Sequence, residues 1–307
     1  MTLSQADDSN CSVFRRFKSL GLLGALALIP IAAGCSSPAA GVRSQSLVIT
    51  GSSTVAPLIN EIGKQYERAY PGTRVDVQTG GSSRGIADAR TGTADIGMVS
   101  RDLTDKESDL EAYPVASDGI AILVHRSNPI QKLSRQQVKQ IFSKQIIRWS
   151  EVSAQPDAAS SPSVANSSIA NTPITVVNKA EGRSTLEVFQ SFFEFNPQEI
   201  KADVIIGDNQ QGIKTIAANP SAIGYVSIGA AQIEIDRGEP LKLLPMDGVA
   251  PTLANVQNSS YPLSRVLNVV TQGQPSPQAK RFIEYATSNQ VNPLVTDQQL
   301  IPVASEG

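Results

Sequence analysis

From Leu47 onward the chain repeats one pattern: a short apolar run, a polar loop rich in glycine and serine, and then apolar residues at helical spacing. Leu47 to Thr50 reads as a strand and is followed by Gly51-Ser52-Ser53-Thr54. Leu58, Ile59, Ile62 and Tyr66 then predict an amphipathic helix that stops at Pro71-Gly72. Arg74 to Thr79 alternates as a strand, leads into Gly80-Gly81-Ser82-Ser83, and continues as a short helix ending near Gly92. Asp95 to Val99 precedes Ser100-Arg101-Asp102-Leu103. Ile174 to Asn178 precedes Lys179-Ala180-Glu181-Gly182-Arg183-Ser184-Thr185 and a helix carrying Leu186, Phe189, Phe192 and Phe193.

Alternating strands and helices predict an α/β fold of mostly parallel sheets flanked by helices, in which ligands sit outside the carboxyl ends of the strands. All four loops fall at that edge. Three open directly into helix N-termini, where unpaired N–H groups and a dipole equivalent to roughly half a positive charge favour an anion. Tyr113 to Val124 and Ala222 to Ile228 are apolar runs able to carry the chain from one lobe to another and back. Two crossing hinge strands are therefore expected, with residues 47–117 plus 226–307 in lobe I and 118–225 in lobe II. Ser153 to Thr172, rich in Ser, Ala, Asn and Pro and without period, is expected to be a dispensable surface insertion in lobe II.

The N-terminus has a different grammar. Arg15, Arg16 and Lys18 precede the apolar run Leu20 to Ala33, which is too short to span a bilayer, and the run ends in Ala32-Ala33-Gly34-Cys35. This predicts a removable targeting segment over residues 1–34. The small residues before Cys35 resemble a bacterial lipobox, which implies that Cys35 becomes the lipidated first residue and that residues 35–46 form a flexible tether. Ala32 stands where a lipobox usually has Leu, and an ordinary signal peptide cut nearby would leave Cys35 incidental. Cys11 and Cys35 both precede the body, so no disulfide is expected.

Composition narrows the function. With 307 residues, 40% apolar and 18% charged, the chain is an ordinary globular protein. A net charge of -2 and a pI near 5.6 give no reason to bind nucleic acid or an anionic membrane surface. Membrane contact is expected through the lipid anchor only. One histidine, His125, and two cysteines cannot supply a zinc or iron–sulfur ligand set, and no nucleotide fingerprint is present, so no metal and no cofactor are expected. Gly81-Ser82-Ser83-Arg84-Gly85 fits the G-x-S-x-G of a nucleophile elbow. A serine nucleophile needs a base, however, and nothing ties His125 to that loop, so the reading is a binding protein and not an enzyme. Arg84 and Arg101 either face the cleft, stand as solvated surface charges, or pair with Asp88, Asp95 or Asp102. Trp149 and the phenylalanines read as packing.

The stretches GSSTVAPL (51–58), GGSSRGIAD (80–88), TADIGMVSRDL (93–103), DGIAILVHRSNP (118–129), IFSKQIIRWSEV (141–152), SAIGYVSIG (221–229) and YPLSRVL (261–267) resemble, in order, the phosphate-binding proteins of ABC importers. Those proteins have the two-lobed type II periplasmic binding protein fold. The resemblance implies an exported, lipid-anchored, monomeric protein that closes on inorganic phosphate and delivers it to ABC permease subunits. It implies anion contacts from Ser53, Thr54, Ser82, Ser83, Ser100 and Arg101 in lobe I, and from Lys179, Arg183, Ser184 and Thr185 in the fourth loop. That loop departs from the pattern, because an arginine followed by Gly-Ser-Gly-Thr is usual there. Since a guanidinium grips oxyanions bidentately and an ammonium acts as a point charge, the ligand geometry is open to change. Selecting phosphate over sulfate needs a carboxylate to accept the phosphate proton, and Asp102, or else Glu181, is expected in that role. The alternatives are another tetrahedral oxyanion (sulfate, molybdate or phosphonate) or a solitary sensor or scavenger without a permease.

Overall fold

Val48 and Ile49 sit in the middle of β1 (Gln45–Gly51), and α1 (Ala56–Ala69) returns over it to β2 (Thr73–Thr79). Then follow α2 (Ser82–Thr91), β3 (Ile96–Val99), the long β4 (Leu110–His125), α3 (Arg135–Phe142), α4 (Trp149–Ser153), β5 (Thr175–Lys179) and α5 (Ser184–Phe193). The chain continues through β6 (Val204–Ile206), α6 (Asn209–Ala217), β7 (Ala222–Ser227), α7 (Ile228–Asp236), β8 (Leu241–Leu244), α8 (Leu253–Gln257), β9 (Ser264–Gln272), α9 (Pro277–Ala286) and α10 (Asn292–Asp297). These elements come from a computed structural model that describes residues 45–153 and 167–303. The targeting segment, Cys35 and most of the expected tether lie outside the described residues. Among the described residues no helix is long and apolar enough to cross a membrane.

The strands run in the order β2-β1-β3-β9-β4-β7-β5-β6, with β8 also paired to β4. β1 is parallel to β2 and β3, and β5 is parallel to β6 and β7, as crossover helices require. β4 and β9 are antiparallel to their neighbours because they carry the chain out of one lobe and back. The sheet is therefore mixed, with its parallel parts confined to the two ends. β4 does the crossing in one strand: Leu110 to Gly119 pair with β9, and Ile120 to His125 pair with β7 and β8.

Each lobe has its own core. In lobe I, Leu47, Ile49, Leu58, Ile62, Tyr66 and Phe282 pack together, and Ile86, Val99 and Val270 form a smaller cluster beneath α2. In lobe II, Trp149, Phe142, Phe189, Phe193 and Tyr225 are fully buried around one centre. Phe189 lies 3.8 Å from Tyr225, centroid to centroid and nearly parallel, a pairing worth about 1 kcal/mol beyond burial. Because Leu186, Phe189 and Phe193 bury the inner face of α5, they also fix where the N-terminus of α5 points.

Two expectations need correction. The second crossing is not at Ala222 to Ile228, since β7 lies inside the lobe II sheet and α7, β8 and α8 pack on lobe II. The return comes at the start of β9: Leu263 belongs to the lobe II core and Leu267 to that of lobe I. An apolar run that is buried on both faces reads the same in a crossing strand and in an interior one, which is why the pattern misplaced it. The tract from Ser153 to Thr172 is also not uniformly free. Ser153 ends α4, Ala170 is buried and its carbonyl accepts Ser150 N at 3.0 Å, and Ile169 packs against the lobe II core; residues 154–166 lie outside the described residues.

Candidate functional site

The four Gly/Ser loops follow β1, β2, β3 and β5 at their carboxyl ends. β1 stops at Gly51, where only glycine serves: its φ is +134°, and a Cβ would stand 2.3 Å from the Met98 carbonyl oxygen. The chain then turns into α1. The N-termini of α1, α2 and α5 have no side-chain cap. By contrast α3, α6, α7, α8 and α9 are capped by Ser134, Asp208, Ser227, Thr252 and Ser276. The positive ends of the three cleft helices are thus left without a side-chain acceptor, which is what an anion site needs.

Hydroxyl groups from these loops meet around one guanidinium. Arg265 donates from Nη1 to Thr185 Oγ1 at 2.8 Å and to Ser100 Oγ at 3.4 Å, and from Nη2 to Thr54 Oγ1 at 3.3 Å. Its Nη2 and Nε also reach Asp118 Oδ2 at 2.8 and 3.2 Å, in an ion pair whose side chains are 1% and 0% exposed. Ser52 Oγ donates to Ser100 Oγ at 3.0 Å, and Ser100 N donates to Ser82 Oγ at 3.3 Å. Lobe I supplies Ser52, Thr54, Ser82 and Ser100, and α5 supplies Thr185, so one network ties both lobes to Arg265.

Lys179 enters beside it. The side chain is buried, Nζ donates to Asn209 Oδ1 at 2.8 Å, and Asn209 Nδ2 donates to Thr54 Oγ1 at 3.2 Å. Burial foremost, then the positive charges of Arg265 and Arg183, partly offset by Asp208, pull the amine down to about 7. Ser184, at the first turn of α5, has a buried hydroxyl with no partner. The Arg183 guanidinium makes no hydrogen bond among the described residues and lies against Gly81 of lobe I, where a Cβ would come within 2.9 Å of Arg183 Cδ. Three basic side chains therefore gather where Asp118 is committed to Arg265 and Asp208 offsets the Lys179 amine only in part.

Arg101 has another fate. Nη1 and Nη2 grip Glu107 at 2.8 and 2.9 Å, and Nε pairs with Glu187 of α5 in the other lobe. The Glu107 contact foremost raises Arg101 and in return holds Glu107 down at about 2. Ser83 is exposed and works on the same rim: Ser83 Oγ donates to Glu187 Oε1 at 3.4 Å, and Ser83 N donates to the Gly182 carbonyl at 3.3 Å. Arg101 and Ser83 thus bridge the lobes beside the inner cluster and do not enter it.

Ser53 is half-buried and joins no hydrogen bond of the cluster, its neighbour Ser52 taking that place. Asp102 and Glu181 are exposed; Asp102 lines a cavity of about 430 Å³ together with Arg101, Glu187 and Arg265. The carboxylate inside the cluster is Asp118 instead. Arg84 pairs with Asp88 at 3.1 Å. His125 ends β4 and bonds Ser127 at 2.7 Å, apart from the Ser82-Ser83 loop. Trp149 is fully buried, as packing requires. No group of His, Cys, Asp and Glu able to hold a metal occurs among the described residues.

Arg265, Asp118, Ser52 and Asn209 are the site residues that the sequence pattern does not single out. For two of them a signal exists. Arg265 alternates with Leu263 and Leu267, and Asp118 with Ala116 and Ile120, so each charge sits on a face whose neighbours are buried. A lone charge on such a face must be paired. Asn209 has no comparable mark.

Residues 36–290 match the family profile of the PBP superfamily domain. The phosphate-binding protein PstS of Bacillus subtilis (strain 168) is 28% identical over 266 residues, covering 85% of this chain and 81% of that protein. PstS of Pseudomonas aeruginosa strain PAO1 is also 28% identical and covers 94% of this chain and 92% of its own. Among solved structures, a chain from Clostridium perfringens described as a phosphate ABC transporter substrate-binding protein with bound phosphate superposes with a TM-score of 0.74 at 29% identity, covering 85% of this chain and all of that one.

Proposed function

The chain belongs to the PBP superfamily, and from that premise we propose that it captures inorganic phosphate between its lobes as the extracytoplasmic binding component of an ABC importer. The observation that carries this reading is the gathering of Arg265, Lys179 and Arg183, with one committed carboxylate, at the uncapped N-termini of α1, α2 and α5. Such a cluster has a deficit of negative charge that a small oxyanion corrects. The hydroxyls of Thr54, Ser82, Ser100, Ser184 and Thr185 serve as neutral donors, and backbone N–H groups of the first turns complete the shell. Two PstS proteins and a phosphate-bound structure among the relatives support phosphate as the anion.

Asp118 Oδ1 accepts one bond, from Ser227 Oγ at 3.0 Å, and keeps a lone pair for the proton that phosphate carries and sulfate lacks. Sulfate, a dianion with no proton to offer, would face the Asp118 carboxylate unpaired and be repelled there, so phosphate is favoured over sulfate by about 100-fold, roughly 3 kcal/mol. Closure brings both lobes into register for permease subunits. Lipidation at Cys35 would hold the protein at the outer face of the membrane, and Cys35→Ser would release it. Calorimetric titration of phosphate and sulfate into the body from residue 42 onward, one compact unit, tests the reading. Micromolar or tighter phosphate binding with much weaker sulfate supports it, and no heat from either anion overturns it.

A further inference from the structure

We propose that capture of the anion draws a proton onto Lys179, so that this residue sets the pH range over which the protein holds its ligand; the proposal rests on the anion-binding reading above. Lys179 is the last residue of β5, 3% exposed, and among the described residues its one side-chain hydrogen-bond acceptor is the neutral Asn209 Oδ1. An ammonium has three donors, so the charged form leaves donors unmet in a buried pocket, at a cost in free energy that the neutral amine avoids.

The charged groups that face Lys179 do not remedy this. Arg265 on β9 and Arg183 before α5 repel a second charge, while Asp208 at the cap of α6 attracts it but is already the acceptor of Gln211 N. Asp118 on β4 is taken by Arg265. On the flanks, the turn before α1 presents the Thr54 hydroxyl through Asn209, β6 presents Ile206, and the Tyr225 hydroxyl of β7 is spent on Asn178. Glu181, further along the loop, is exposed. The protein's own groups accordingly hold the amine at about 7, with burial the first cause and Arg265 the second.

A doubly charged oxyanion in the same pocket supplies the missing counter-charge and acceptors, and the amine returns toward its ordinary value. By linkage, a group that is raised on binding takes up a proton between its free and bound values, and affinity falls as pH rises through that window, by up to about tenfold per pH unit. An arginine here would be charged throughout and would couple nothing.

The test is calorimetric titration of inorganic phosphate into the full-length chain in detergent near pH 8, where phosphate is almost all dianion, in two buffers of different ionisation enthalpy. The parent should take up close to one proton per phosphate, and its affinity should fall about tenfold from pH 8 to 9. Lys179→Arg should bind phosphate with most of that uptake and pH dependence gone. Lys179→Met, neutral at every pH, should bind weakly and without slope, and serves if the arginine variant misfolds. Phosphate binding by the parent without proton uptake, or equal uptake in the parent and the variants, overturns the proposal. Failure of the parent to bind phosphate at any pH overturns the anion-binding reading, and the proposal with it.

Discussion

Arg265 and Arg101 are two arginines of one cleft with opposite employment. Arg101 meets two carboxylates, Glu107 and Glu187, which more than neutralise it. Arg265 meets one, Asp118, and otherwise only the hydroxyls of Thr54, Ser100 and Thr185, with Lys179 adding positive charge nearby. A compensated guanidinium is a strut, and here it braces lobe I against α5 of lobe II. A guanidinium balanced one-to-one, kept from water, with further basic groups beside it, calls for an anion. Counter-charge, more than the presence of arginine, separates the inner cluster from the rim.

The largest effect is expected from Arg265→Gln. It leaves Asp118 buried without its cation, which costs about 3–5 kcal/mol of stability, and it removes the central donor, so affinity should fall by at least about 100-fold. Urea unfolding and calorimetry on one preparation separate the two losses, and Asp118→Asn combined with Arg265→Gln should recover part of the stability and none of the binding. Next is Arg183→Ala. A guanidinium with no hydrogen-bond partner among the described residues that packs on Gly81 across the cleft should contribute about 2 kcal/mol to anion binding, roughly 30-fold, with little change in melting temperature. Unaltered phosphate affinity would turn Arg183 out to solvent.

Smaller effects are expected on the rim. Glu187→Gln removes the partner of Arg101 and Ser83 across the lobes, worth about 1 kcal/mol for a partly exposed pair, so phosphate should dissociate about fivefold faster in stopped-flow traces. The smallest test is acid stability. Glu107, held at about 2 by Arg101, contributes stability that is complete above the usual carboxylate range and is lost as pH falls toward 2. Unfolding midpoints measured between pH 5 and 2 should therefore drop more steeply in the parent than in Glu107→Gln, with phosphate affinity at neutral pH much the same in both.

Much of the fold was legible because helix and strand periods fall where the elements lie, from Leu58, Ile59, Ile62 and Tyr66 on α1 to the helix after Ser184-Thr185. The loops were legible too, since Gly51 and Gly81 and the serines beside them announce turns that open into helices. What a linear pattern does not carry is partnership. Arg101 lies in a Gly/Ser-type loop and reads as a ligand contact, yet Glu187, far along the chain, claims it. Arg265 lies in a strand, where a cleft residue is not expected, and only its place between the buried Leu263 and Leu267 betrays it. The return crossing was misplaced for a related reason: β7 and a crossing strand are both apolar throughout.

A crystal structure of the protein with phosphate would show which of the two arginines holds the anion. One anion should lie within hydrogen-bond distance of Arg265 and Lys179, accepting from the unpartnered Ser184 hydroxyl and from the first turns of α1, α2 and α5, with Arg101 still bound to Glu107 and Glu187. Phosphate held instead by Arg101 in the outer cavity beside Asp102, with the Arg265 network undisturbed, would contradict that placement.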